Sequence, residues 1–240
     1  MAQKTIRISV RNLVEFLLRS GDIDNRYGGH KDAEAMQAGS RLHRKIQGNM
    51  GSSYQAEVTL KHLVDLGEVE VSVEGRADGI WLDKEHWTID EIKGTYQDVH
   101  QLSAAILVHL AQAKCYAYIY AKQQGLEKIR TRMLYVNLET EERVCFTEDY
   151  PFSELEKWFL SLMEEYKKWV VYEYNWKLQR KYSIQKMEFP YVYREGQREL
   201  AISVYRTILR KKRLFIQAPT GVGKTLSTLF PVLKAIGEDL

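Results

Sequence analysis

The stretch IDEIKG places a carboxylate and an ammonium group inside a run that otherwise predicts a buried β-strand. Side chains alternate between the two faces of a strand, so Glu91 and Lys93 project from the same face. Asp90 and Ile92 project from the opposite face. One face of this strand is therefore expected to carry a carboxylate and a lysine within reach of each other. The alternative is an ordinary ion pair on a half-exposed strand.

A second carboxylate belongs to the preceding strand. Asp78 lies between Gly75 and Gly79 in the stretch GRADG, where the chain can bend and its backbone can approach another group closely. If the two strands are neighbours, Asp78 and Glu91 converge. Convergent carboxylates suit Mg²⁺ or Mn²⁺, an ion that can activate water and neutralise charge on a phosphate. Lys93 would then hold the water or the developing charge. The alternative for GRADG is a plain hairpin feature.

The order of the predicted elements places these strands in the middle of an α/β fold. Hydrophobic periodicity indicates helices at 10–18, 33–47, 100–124 and 152–181. Runs rich in β-branched and aromatic residues indicate strands at 54–64, 69–82, 86–93, 128–137 and 141–147. The three strands that follow one another directly are expected to be antiparallel. The pattern predicts a central mixed sheet flanked by helices.

Four short motifs in this region resemble the PD-(D/E)xK nuclease superfamily, and in particular its RecB-like exonuclease branch, over roughly residues 1–180. In chain order they are GSRLH ending at His43, GRAD ending at Asp78, EIK starting at Glu91, and QAKCY from Gln112 to Tyr116. The resemblance implies a restriction-endonuclease-like core. It also implies that residues 1–185 form a nuclease domain that ends in a connecting helix.

The resemblance implies a role for each motif residue. The metal would be bound by three side chains and one main-chain carbonyl, those of His43, Asp78, Glu91 and Ile92. Lys93 would assist the water. An imidazole among carboxylates makes Mn²⁺ as suitable as Mg²⁺. The implied activity is exonuclease-like hydrolysis of DNA phosphodiesters, and the implied partner is DNA, as single strands or ends.

Gln112 and Tyr116 are four residues apart, so they occupy one face of the predicted long helix. Both side chains can donate hydrogen bonds to a phosphate. The resemblance implies that they orient the site or the DNA. His109 shares their face, and we expect it to be a structural residue.

A different chemistry is predicted further along the chain. A short apolar strand at 214–217 precedes APTGVGKT and then an apolar helical start, which is the context that a P-loop requires. Gly221 and Gly223 let backbone N–H groups cradle phosphates. Lys224 would contact the terminal phosphates, and Thr225 would bind Mg²⁺. These residues predict a nucleotide-binding loop.

The run YREGQR resembles the Q-motif region of DinG- and XPD-like superfamily-two DNA helicases, in which a glutamine contacts adenine. The resemblance gives that role to Gln197. We predict that residues 186–240 begin the motor of an ATP-dependent helicase, fused to the nuclease in a longer protein. They contain neither a Walker B acidic pair nor a second RecA-like domain, so we expect no ATP hydrolysis or unwinding from this segment alone.

The amino-acid composition excludes few classes of protein function. The net charge of +3 does not by itself indicate a nucleic-acid partner. The sequence contains no apolar run of membrane-spanning length, so we expect a soluble, cytoplasmic protein without a membrane partner. Two cysteines are too few for the four-cysteine iron–sulfur cluster of some RecB-like relatives, and no cluster is expected. The sequence does not indicate an oligomeric state.

Basic and aromatic residues are interleaved between 166 and 186. Such a mixture can bind single-stranded nucleic acid through phosphate neutralisation and base stacking. It fits equally well a connecting helix whose aromatic residues pack on the sheet and whose lysines are solvated. For the whole chain, the alternative to a metal-dependent nuclease is a non-catalytic DNA-binding module that loads the motor.

Overall fold

The computed structural model describes residues 5–21 and 30–237. The chain divides into two compact units, Met1–Lys168 and Trp169–Leu240. The first unit contains β1 (Thr5–Ser9), α1 (Val10–Leu18), α2 (His30–Gly48), β2 (Gln55–Asp65), β3 (Glu70–Asp83), β4 (His86–Thr95), α3 (Leu107–Gln124), β5 (Lys128–Asn137) and β6 (Arg143–Pro151). Helix α4 (Phe152–Lys186) continues into the second unit, which also contains α5 (Gln197–Leu209) and α6 (Lys224–Ile236).

A six-stranded mixed sheet forms the centre of the first unit, in the order β1-β3-β4-β5-β6, with β2 paired to β3 as well. Strands β2, β3 and β4 are consecutive and antiparallel, as predicted. Strands β4 and β5 are parallel, and α3 lies in the connection between them. The predicted α/β architecture with a mixed central sheet is confirmed. Strand β1, which is parallel to β3, was not predicted.

Helices cover both faces of the sheet, because alternate residues of β4 and β5 point to opposite layers. On one face, residues of α2 pack with β4 and β5 in a cluster made of Leu42, Ile46, Ile92, Leu134 and Val136. On the other face, a residue of α3 packs with β5 in a cluster that includes Val99, Ala113, Met133 and Tyr135. Ile92 therefore faces α2, and its neighbours Glu91 and Lys93 face α3.

The first helix begins where the sequence predicts it. Ser9 ends β1 and caps α1, since its hydroxyl accepts a hydrogen bond of 3.1 Å from the backbone N–H of Asn12. The cap turns the chain out of the sheet directly after β1. Among the described residues, no helix combines the length and the apolar character needed to cross a bilayer.

The helix predicted over 100–124 is shorter in the structure. A 3₁₀ turn occupies Val99–Gln101 and α3 begins only at Leu107. Asp98 caps the short turn by accepting from the N–H of His100 at 2.9 Å. The N–H of Ile106 donates to the hydroxyl of Tyr135 at 2.9 Å, so a tertiary hydrogen bond satisfies a backbone donor just before α3.

In the second unit, α5 and α6 pack against each other, and the residues predicted to form a P-loop lie between them in the chain. The strand predicted at 214–217 is wrong: these residues form no ladder, and Phe215 is 93% exposed. A strand requires a partner, and the described part of the second unit contains none. Helix α6 begins at Lys224, two residues before Leu226, where the sequence predicts the start of the helix.

Asp90 is buried in an ionic network on the α2 side of the sheet. Its carboxylate accepts two hydrogen bonds from Arg132, at 2.8 and 2.7 Å, and one from the hydroxyl of Tyr54, at 2.8 Å. The guanidinium of Arg132 lies 4.5 Å from the ring centre of Trp81. A Cβ on Gly79 would lie 1.8 Å from the Tyr54 hydroxyl, so this glycine makes room for the network.

We predict that Arg132→Gln lowers the free energy of unfolding by about 3 kcal/mol. This is the lower end of the range for a broken buried pair, because the Arg132 side chain is 21% exposed whereas Asp90 is fully buried. The measurement is urea unfolding. The double variant Asp90→Asn/Arg132→Gln should recover part of the loss, because it leaves no uncompensated charge. A double variant less stable than the sum of both single variants would contradict this account.

Candidate active site

The site is built at a gap in the edge of β3. Strand β2 pairs along one edge of β3, so β1 and β4 share the other edge. There β1 pairs as far as Glu74, and β4 pairs from Gly79 onward. The GRAD motif, residues 75–78, fills the interval without a ladder partner on that edge. Its backbone and side chains are therefore available to other groups.

Asp78 bridges this gap. Its Oδ2 accepts a 2.7 Å hydrogen bond from the N–H of Ile92, in place of a backbone carbonyl. Its Oδ1 lies 3.3 Å from Nδ1 of His43 on α2. Burial lowers the pKa of His43, but the hydrogen bond and the charge of Asp78 outweigh it, so that the pKa is raised. The structure thus brings His43 and Asp78 together. A ligand role for the Ile92 carbonyl stays a prediction.

Glu57 joins these two residues, although the sequence analysis did not select it. One ligand atom from each of His43, Glu57 and Asp78 can be chosen so that all three lie within 4.8 Å of one another. Glu57 has φ +57, which is rare for a residue with a side chain. It lies between the paired positions Ala56↔Gly79 and Val58↔Ala77, directly opposite Asp78.

Two neighbours hold the Glu57 carboxylate in place. The Nε2 of Gln47 donates to Glu57 Oε1 at 3.0 Å and to the carbonyl of Asp78 at 2.9 Å. The Nε of Arg76 is 2.5 Å from the other carboxylate oxygen. The backbone conformation that directs Glu57 here leaves no mark in hydrophobic periodicity. The sequence signal that could have pointed to this region is Gln47, which lies four residues after His43 and therefore on the same face of α2.

Glu91 is almost completely buried on the α3 side of β4. Its Oε1 is 2.6 Å from the ammonium of Lys93, as the two-residue spacing predicts. Its Oε2 is buried and has no hydrogen-bond partner. Burial, opposed by the charge of Lys93, raises the pKa of Glu91 to about 8. Glu91 is not in the group formed by His43, Glu57 and Asp78, although its charge acts on the pKa of His43.

Gln112 and Tyr116 of α3 extend this chain of contacts. The ammonium of Lys93 donates to Gln112 Oε1 at 3.2 Å, and Gln112 Nε2 is 3.5 Å from the Tyr116 hydroxyl. Tyr116 also interacts with the backbone of Arg76, and a Cβ on Gly75 would lie 2.7 Å from its hydroxyl. Both α3 side chains are buried, so they orient Lys93 and the GRAD backbone.

The predicted nucleotide-binding residues come together in the second unit. Gly221 and Gly223 have φ +86 and +76, the left-handed conformation that favours glycine. Gln197 is buried; its Oε1 accepts from the N–H of Arg194 at 3.0 Å, and its Nε2 is 3.5 Å from the carbonyl of Gly223. A Cβ on Gly223 would lie 2.4 Å from this amide. The Q-motif-like segment and the loop are therefore in direct contact.

Lys224 and Thr225 stand at the N-terminus of α6. The ammonium of Lys224 donates to the carbonyls of Ala218 and Pro219, at 2.9 and 2.8 Å. Thr225 is exposed. A cavity of about 570 Å³ adjoins the loop, and its lining includes Arg194, Gln197, Leu200, Ile216 and Ala218.

Comparison with known proteins gives limited matches. No family model matches the chain. A stretch of 49 residues, 20% of this chain, is 47% identical to "Probable ATP-dependent helicase MJ0942" of Methanocaldococcus jannaschii. The matched stretch spans only 8% of that helicase. The likeness is thus local.

Two solved structures have similar arrangements at low identity. The crystal structure of SSO0001 matches with a TM-score of 0.46 and 18% identity, over 76% of this chain and 84% of that one. An alkaline exonuclease from Laribacter hongkongensis, LHK-Exo, matches with a TM-score of 0.41 and 10% identity, over 74% of this chain and 93% of that one. Similarities at this level do not assign a family or an activity to the chain.

His109 gives a test of the electrostatics around Lys93. Burial, and secondly the charge of Lys93, lowers the pKa of His109 to about 4, and its Nδ1 lies 3.2 Å from the Tyr135 hydroxyl. The unfolded chain therefore takes up a proton at this residue at higher pH than the folded protein does. The stability that neutral His109 contributes is complete above about pH 6.5 and is lost as the pH falls toward about 4.

We predict that the thermal midpoint falls more steeply for the wild type than for His109→Gln between about pH 7 and about pH 5. Glutamine cannot take up a proton in this range but can still reach the hydroxyl of Tyr135. Circular dichroism melts at matched ionic strength provide the measurement. Parallel curves for the two proteins would show that folding does not lower the pKa of His109 and would contradict this account.

Proposed function

We propose that the first unit is a divalent-metal-dependent deoxyribonuclease, with an exonuclease-like mode of action. The observation that carries the proposal is the Glu91 carboxylate. One of its oxygens is bound to Lys93, and the other is buried without a partner. An unpartnered carboxylate oxygen in a low-dielectric interior is costly, and a cation is the ligand that best compensates it.

The side chains present fit a divalent cation. His43, Glu57 and Asp78 offer one imidazole and two carboxylates on one side of the gap, and Glu91 offers a third carboxylate close by. Oxygen ligands suit Mg²⁺, and an added imidazole suits Mn²⁺. A bound cation would supply positive charge that lowers the pKa of water and neutralises a phosphate. The Ile92 carbonyl remains a proposed further ligand.

Lys93 is the residue best placed to act on the water or the phosphate. Its ammonium has three N–H donors, of which Glu91 and Gln112 occupy two at 2.6 and 3.2 Å. The third can donate to the attacking water or to a phosphate oxygen. Gln112 and Tyr116 do not need to touch DNA for this purpose, because they fix the direction of the ammonium from α3.

A non-catalytic DNA-binding module is the alternative in the first unit. That alternative explains the exposed ion pairs but not a buried, unpartnered carboxylate beside a histidine and a second acid. A module that only binds phosphate would gain from exposed cations. Buried carboxylates would oppose its binding.

We predict that Lys93→Met reduces release of labelled nucleotides from DNA by about 10²- to 10³-fold in Mn²⁺ or Mg²⁺, the loss typical of one positioned electrostatic group. Methionine keeps the length of the side chain without its charge. The matched control is Lys45→Met, which removes another lysine bound to a glutamate, 2.5 Å from Glu141 at the surface. The control should cleave like the wild type.

Metal binding is measured separately from cleavage, as the increase in the free energy of unfolding that Mn²⁺ produces. Mn²⁺ at about 100 times its dissociation constant should stabilise the wild type by about 2.7 kcal/mol, and Asp78→Asn should lose most of that gain. Wild-type protein that binds DNA but cleaves neither single-stranded nor duplex DNA in either metal would favour the non-catalytic module. Undiminished cleavage by Lys93→Met would remove Lys93 from the mechanism.

For the second unit we propose nucleotide binding, as expected for the motor of a longer ATP-dependent helicase. The observation that favours it is the contact of Gln197 with Gly223 beside the cavity. A phosphate would be cradled by the N–H groups of the loop and would replace two carbonyls as the partner of Lys224. Thr225 is the proposed Mg²⁺ residue. Hydrolysis is not proposed for these residues alone.

We predict that Lys224→Ala weakens binding of a fluorescent ATP analogue by at least about tenfold, because a charge-assisted contact is lost. Gln197→Ala should instead reduce the preference for ATP over GTP, since it removes an amide that can pair with the base. Lys234→Ala, a lysine further along α6, is the control and should bind like the wild type. Equal affinities for all four proteins would contradict a nucleotide site.

A further inference from the structure

The part of α4 in the second unit carries an excess of positive charge. Between Trp169 and Lys186 there are four basic residues, Lys177, Arg180, Lys181 and Lys186, and one acidic residue, Glu173. This 18-residue segment therefore has a net charge of +3, equal to that of the whole chain. The segment is therefore electropositive, as is the stretch 206–213 further along the chain.

The same segment exposes large aromatic side chains. Trp169, Tyr172 and Trp176 are 49%, 67% and 52% exposed. Residues 175–180 are exposed at every position, which is more than one full helical turn. A helix that packs its aromatic residues against its own unit would instead show a buried stripe. The alternative interpretation, a connecting helix whose aromatic residues pack on the sheet, is therefore wrong for this turn.

Helical geometry aligns these groups in one stripe. Trp169, Tyr172, Trp176 and Arg180 fall within an arc of about 80° when each residue turns by 100°. Glu173 borders the stripe, and its carboxylate is paired with Lys177 at 2.5 Å, so its negative charge is neutralised. Leu178 projects from the opposite side of the helix and is 48% exposed.

We propose that this aromatic stripe binds single-stranded DNA by stacking bases on Tyr172 and Trp176, with Arg180 contacting phosphate. The two rings are separated by about 6 Å along the helix axis, more than the 3.4 Å rise of stacked bases. Bases must be spread apart to reach both rings, which a single strand allows and a duplex does not. Two exposed rings beside a cation form the combination that stacks bases and contacts phosphate in single-strand binding.

The inference rests on the proposed nuclease function for the choice of DNA as the ligand. Binding is therefore measured in EDTA, where no cleavage occurs. A labelled oligothymidine of about 20 nucleotides is titrated by fluorescence anisotropy, in parallel with a duplex of equal length. Quenching of tryptophan emission by the bases reports stacking directly.

The double variant Tyr172→Ala/Trp176→Ala should bind the single strand about 10- to 100-fold more weakly than the wild type and lose most of the quenching. Arg180→Gln should reduce the salt dependence of binding by about one phosphate contact. Leu178→Ala, on the opposite side of the same turn, should bind like the wild type. Circular dichroism confirms that each variant keeps its helix content.

Three outcomes would overturn the proposal. They are equal weakening by Leu178→Ala, wild-type affinity in the double variant, and equal affinity of the wild type for duplex and single strand. Failure of the nuclease proposal gives a different result: strand binding in EDTA persists, while cleavage in Mn²⁺ is absent. The two proposals can therefore fail separately.

Discussion

The first unit depends on one interrupted ladder. Strand β3 pairs with β1 up to Glu74 and with β4 from Gly79, and the GRAD motif between them lacks a partner on that edge. A backbone donor left unpaired in the interior destabilises the fold, so the carboxylate of Asp78 accepts from Ile92 at 2.7 Å. The group that closes the gap is thus a negative charge. That charge pairs with His43 of α2, and it lies close enough to Glu91 to raise the pKa of that residue.

Strand alternation separates two ionic systems that lie next to each other in sequence. Asp90 faces α2, where Arg132 and Tyr54 satisfy its carboxylate completely. Glu91 faces α3, where Lys93 satisfies only one oxygen. Both carboxylates are buried on the same strand, but only the second has an oxygen without a hydrogen-bond partner. This difference separates a structural ion pair from a candidate metal ligand.

Sequence reasoning succeeded where periodicity decides geometry. The two-residue spacing of Glu91 and Lys93 and the four-residue spacing of Gln112 and Tyr116 predicted shared faces, and the structure joins both pairs in one chain of contacts. Sequence reasoning failed where the geometry of a residue depends on a partner that is distant in the chain. Glu57 is directed by a positive φ opposite Asp78, and β1 exists because β3 offers an edge. The apolar run at 214–217 forms no strand, since the described residues of the second unit offer no strand edge for pairing.

The functions proposed for the two units would use different physical routes to bind phosphate. In the first, buried side-chain charges are fixed by sheet and helix packing, so their positions are set before any ligand binds. In the second, the proposed phosphate would bind backbone N–H groups of a glycine-containing loop and would displace the two carbonyls that hold Lys224. Ligand binding there must exchange one set of hydrogen bonds for another. Affinity in the second unit is therefore expected to reflect reorganisation, whereas the first unit is limited by desolvation of its carboxylates.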